Sequence, residues 1–112
     1  MVRIDEDLAE LGIPVYAEGD APAELPAEYI TFNEDFTGDH LSADNVTKEI
    51  LYEFTIKYYT ADATTLYSRL IEALNLLKRK GYITSGVGYA NATYHDKWFS
   101  RQADIKKIEY IS

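Results

Sequence analysis

The chain contains no cysteine. Disulfides, thiolate-held zinc and thiol nucleophiles are excluded together, and a reducing compartment fits that composition. No stretch approaches the roughly 20 apolar residues that a membrane-spanning helix needs. Histidine is nearly absent too, at two residues, and there are three prolines and one tryptophan. The opening MVRIDEDLAELG turns acidic almost at once, which is not the pattern of a secretory signal. Sustained internal repeats and low-complexity tracts are also missing.

What is present is ordinary for a globular chain in bulk and unusual in distribution. Of the 112 residues, 46% are hydrophobic and 27% charged, enough for one domain, 1–112, to bury a core without staples. Ten tyrosines dominate the aromatics. They suit strands and also contact surfaces, where the ring is buried and the hydroxyl stays hydrogen-bonded. The net charge of −8 is split unevenly: residues 1–45 hold twelve acids and one base (−11), and residues 46–112 seven acids and ten bases (+3). One reading is a solvated acidic half. The other is a two-signed surface that pairs with copies of itself. Neither favours specific nucleic-acid binding, which needs a dominant basic face.

Periodicity predicts the elements. Ile4, Leu8 and Leu11 share a helical face that ends at Gly12. Short strands are expected at 13–17 and 29–32, around a Pro/Gly-containing connection. Residues 33–47 hold no sustained period and read as a long loop. Residues 49–59 alternate, with Ile50, Tyr52, Phe54, Ile56 and Tyr58 facing one way. Asp62 is placed to cap a helix over 63–80, whose stripe is Leu66, Leu70, Ala73, Leu74 and Leu77, with Gly81 as terminator. A strand is expected at 82–88, a turn or flexible excursion at 89–97, and a last strand at 98–111. In that strand Phe99, Ala103 and Ile105 have one parity and Ile108 and Tyr110 the other, so a β-bulge near Lys106-Lys107 is expected. The fold class is α+β: an antiparallel or mixed sheet of four to five strands, one long helix on a face and a short N-terminal helix.

Chemistry-bearing patterns are sparse. His40 and His95 each adjoin an aspartate, but a metal or acid/base pair requires them to converge. Glu34, Asp35, Asp39 and Asp44 lack the ligand spacing of a calcium loop. Gly86-Val87-Gly88 is not followed by a helix, so it reads as a bend rather than a phosphate loop. Lys78, Arg79 and Lys80 complement the negative end of a helix dipole. Trp98-Phe99 beside Arg101 is the best contact candidate, with one ring in the core and the other at an interface. No catalytic, metal or cofactor constellation is read, so the chain is expected not to be an enzyme.

The segments LAELGIPVY, EYITF, SADN, YEFTIKYYT, TLYSRLIEALNLLKRKGY and DIKKIEYI, in this order, span nearly the whole chain. Their layout resembles the tail completion, or tail terminator, proteins that join head to tail in long-tailed bacteriophages. The resemblance implies a non-enzymatic structural protein that forms a ring, usually a hexamer. That ring ends tail-tube polymerisation and joins the filled head. The implied partners are other copies of the chain, the tail-tube protein and a head-completion or connector protein, with DNA merely passing through. The implied location is the bacterial cytoplasm and then the virion tail. Contact residues expected under it are Asp35, Asp39, His40, Asp44, Asn45, Lys78, Arg79, Trp98 and Arg101. A rival expectation is a small acidic inhibitor or immunity-type protein that binds a basic partner.

Overall fold

The computed structural model describes residues 2–43, 46–84, 89–90 and 98–111, with the side chains of 40–43, 47 and 89–90 left aside. Helix α1 covers Ile4–Asp7, followed by a 3₁₀ turn at Ala9–Leu11. Strand β1 is Val15–Ala17, β2 is Glu28–Ala43 and β3 is Val46–Thr60. A 3₁₀ turn at Ala63–Thr65 leads into α2, Leu66–Arg79. Strands β4 (Ile83–Thr84), β5 (Tyr89–Ala90) and β6 (Phe99–Tyr110) complete the chain.

The sheet is mixed, in the order β1-β2-β3-β6-β4, with β5 on the same edge of β6 as a separate short pairing. Only β1–β2 is parallel; β2–β3, β3–β6, β4–β6 and β5–β6 are antiparallel. With α2 on one face and α1 at the N-terminus, the α+β architecture is as the pattern predicts.

The helix begins and ends for local reasons. The Asp62 carboxylate accepts from Thr64 N–H at 3.0 Å and so caps the 3₁₀ turn that leads into α2; Thr65, just before α2, makes no side-chain cap bond. At the other end Gly81 takes φ 92°, a left-handed geometry that a side chain resists. Between them Leu70, Ala73, Leu74, Leu76 and Leu77 are buried. They pack on the even-numbered residues of β3 (Tyr52, Phe54, Ile56, Tyr58) and on Ala103 and Ile105 of β6. Ile4, Leu8 and Ile13 join the same core from the N-terminal segment, and Tyr82 does so from the end of the helix, its hydroxyl donating to Asp7. Burial holds the Tyr82 phenol well above its ordinary pKa, and the Asp7 carboxylate adds to the shift.

Two expectations are overturned. Residues 33–43 are not a loop but the continuation of β2, which runs antiparallel to β3 as a long hairpin. Register shifts at Glu34/Phe36, Asp39/Leu41 and Leu41/Ser42 break the period of two. An edge strand that bulges repeatedly leaves no alternation to read. The expected bulge at Lys106-Lys107 is likewise absent. β3 and β6 pair without interruption from Thr60↔Phe99 to Glu49↔Tyr110. Ile108 and Tyr110 simply lie on the face away from the helix, where Ile108 stands opposite Leu51 and Tyr110 is 76% exposed. Smaller differences follow. Tyr89–Ala90 pairs with β6 instead of turning, and the strand expected over 82–88 is described only at Ile83–Thr84. Gly86, Gly88, Asp44, Asn45 and His95 lie outside the described residues.

Strand length sets the shape. Fifteen residues of β3 at roughly 3.3 Å each span about 50 Å, in keeping with a long dimension of 53 Å. The fourteen residues of α2 span only about 21 Å. The helix therefore covers part of the sheet, and the far half of the β2–β3 hairpin extends past it.

Candidate functional site

The outer edge of β2 is paired over a short stretch. β1 covers Ile30 to Phe32, and Glu18 N–H adds a bond to Phe32 C=O at 2.8 Å. From Asn33 to Ala43 no strand among the described residues covers that edge. Its residues from Asn33 to Thr37 are exposed, and this stretch holds the exposed acids Glu34, Asp35 and Asp39. Asp35 is the extra residue of the first bulge, between the pairs Glu34↔Phe54 and Phe36↔Glu53. The bulge turns its carboxylate onto neighbouring groups: Asn33 Nδ2 donates to it at 2.8 Å and the Thr55 hydroxyl lies 2.5 Å away. The same hydroxyl is 3.1 Å from Asp104 on β6. One proton serves two carboxylates, so Thr55 donates to one of them at a time.

The charge asymmetry of the sequence is partly consumed within the fold. Glu10 pairs with Lys80 at 2.9 Å, Glu18 with Lys57 at 3.7 Å and Glu28 with Arg69 at 2.8 Å. Each pair joins the acidic first part to the basic second part in one chain. Among the exposed charged residues are Glu34, Asp35 and Asp39 on β2 and, at the end of α2, Lys78 and Arg79. These two patches sit on different layers, one on the sheet edge and one on the helix.

Trp98 and Phe99 divide between the faces as strand geometry requires, but both are half-buried and neither belongs to the core, so the expected core ring is not found. Phe99 stands opposite Thr60 on the helix-covered face. Trp98 lies on the open face, edge-on to Tyr29 with ring centroids 5.3 Å apart. Tyr29 stacks on Tyr59 at 4.7 Å and meets Tyr16 at 6.2 Å. Burial of Tyr29 raises its hydroxyl pKa. Arg101 is on the helix-covered side, its guanidinium 5.1 Å from the Tyr67 ring centroid, so Trp98, just before β6, and Arg101 within it lie on opposite faces. The structure thus brings Asp35 and Asp39 to one edge and Lys78 and Arg79 to one helix end. His40 lies on β2 between the second pair of bulged positions.

Among the described residues no group of three or more His, Asp or Glu side chains is arranged to hold a metal ion, and no helix is long and apolar enough to cross a membrane. The aromatic cluster was missed in sequence because Tyr16, Tyr29, Tyr59 and Trp98 come from four strand segments; only the surplus of tyrosine hinted at it. No model of a known protein family matches the chain, and no curated protein matches it.

Proposed function

We propose that the chain is a non-enzymatic structural protein of long-tailed bacteriophages, forming a ring that ends tail-tube polymerisation and joins the tail to the head. It assembles in the cytoplasm of the infected or lysogenic bacterium and stays in the virion tail. The observation that carries this reading is the outer edge of β2 beyond Phe32, which no strand among the described residues covers. A strand edge presents unpaired N–H and C=O groups, which invite a second chain. Its carboxylates repel an identical edge, so edge-to-edge pairing of two copies is disfavoured. The exposed Lys78 and Arg79 favour instead a head-to-tail contact between unlike patches. Contacts of that kind close into a ring when the rotation between successive copies divides a full turn. The bulges twist the edge and oppose indefinite sheet growth.

A charge-swap series tests the reading against tail-tube protein whose growth is followed by light scattering. The native chain is expected to halt growth. The Glu34→Lys/Asp39→Lys variant and the Lys78→Glu/Arg79→Glu variant should each halt it poorly, and mixing the two should restore the halt. Failure of the native chain to slow growth at any concentration contradicts the proposal.

A further inference from the structure

A second feature lies on the open face at the other end of β2. The segment from Ala17 to Glu28 leaves β1, crosses beside the sheet and returns as β2. Between it and Trp98, just before β6, is an open cleft of about 620 Å³ lined by Tyr16, Ala23, Glu24, Leu25, Pro26 and Trp98. Its size is that of a site for a small ligand or a short peptide segment.

The described lining includes two rings, Tyr16 and Trp98, and one carboxylate, Glu24. Tyr16 and Trp98 both contact Tyr29, which is itself buried and braced by stacking on Tyr59. The two wall rings are therefore seated against a fixed third ring. Residues 17–28 hold Glu18, Asp20, Glu24 and Glu28 and no base. Glu18 and Glu28 are tied to Lys57 and Arg69, whereas Glu24 is exposed and lines the cleft. Aromatic faces attract a cation through their quadrupole, and a carboxylate at the mouth adds Coulomb attraction. Between the two cationic side chains, arginine is the better match. Its planar guanidinium stacks on rings and is more weakly hydrated than an ammonium. The fold already uses that pairing at Arg101 over Tyr67.

We infer that the cleft between Tyr16 and Trp98 receives an arginine side chain of a partner protein, with Glu24 as its counter-ion. Leu25 and Pro26 are the apolar floor for the residues beside that arginine. The inference is independent of the ring reading, since it concerns the open face and not the outer edge.

Trp98 is the only tryptophan of the chain, so tryptophan fluorescence and the single indole N–H resonance both come from a residue that lines this cleft. The full chain is titrated with acetyl-Gly-Arg-Gly-amide and, separately, with the same peptide carrying neutral citrulline for arginine. At low ionic strength the arginine peptide is expected to give a saturable change at Trp98. The citrulline peptide is expected to bind roughly tenfold more weakly, the scale of a cation–π contact with partial desolvation. Glu24→Gln, on an exposed segment where folding is not at stake, should weaken arginine binding severalfold and leave citrulline binding unchanged. Equal responses to the two peptides, no saturable response, or a Glu24→Gln chain that binds arginine as before would each overturn the inference.

Discussion

Arg69 on α2 donates from Nη2 to Glu28 Oε1 at 2.8 Å, which ties the helix to the first residue of β2. The other carboxylate oxygen accepts the Tyr58 hydroxyl at 2.9 Å, so β2, β3 and α2 meet at one side chain. Both partners are about three-quarters buried, with side-chain exposures of 25% and 29%. Replacing Glu28 with Gln keeps the shape and removes the charge. It should cost about 1–2 kcal/mol in urea unfolding, in the range for hydrogen bonds to charged groups. A cost near zero would place this junction among ordinary surface pairs.

The same carboxylate should make stability depend on pH. The Arg69 guanidinium holds the Glu28 pKa below its usual 4.5, with partial burial opposing the shift and the Tyr58 hydroxyl assisting it. A carboxyl lowered in the fold binds its proton more readily in the unfolded chain. Its contribution is therefore complete above about pH 4.5 and is lost as pH falls through the folded value. Urea midpoints from pH 6 downward should fall less steeply for Glu28→Gln than for the native chain (about one proton's worth of slope at most).

Helix α2 depends on both of its ends. Asp62→Ala should cost about 1 kcal/mol and Asp62→Asn much less, because asparagine still offers a capping oxygen. Gly81→Ala should cost about 1 kcal/mol, because Gly81 adopts φ 92°. Thermal unfolding by circular dichroism measures all three.

The uninterrupted register of β6 yields a sharp contrast. Ile105 is 1% exposed and Tyr110 is 76% exposed. Ile105→Ala should cost about 2–5 kcal/mol, whereas Tyr110→Ser should change stability by about 0.5 kcal/mol or less. A bulge between them would bring Tyr110 to the core face and make both substitutions costly.

Legibility in the sequence followed burial. The helix stripe, the Asp62 cap, the Gly81 stop and the inward face of β3 were all readable, because each residue there answers to one dominant constraint. Residues 33–43 read as a loop in sequence. They form an exposed, bulged edge strand, where neither packing nor parity constrains the sequence. Ile108 and Tyr110 misled for the opposite reason: apolar residues were assumed to seek the core, yet an open sheet face also carries them. Of the expected contact residues, the strand periodicity placed Trp98 and Phe99 on opposite faces. It could not reveal that Trp98 meets Tyr29, which is 69 positions away in sequence. Nor could the charge count show that three acids of the first part are paired inside the fold with bases of the second.

Electron microscopy of tail-tube protein polymerised with and without the chain tests the central proposal most directly. The account predicts tubes of limited length, each closed at one end by a ring of added density. It also predicts that the ring is lost when the acidic edge of β2 carries Glu34→Lys and Asp39→Lys. Tubes that grow to the same length with the chain present, with both ends bare, would contradict it.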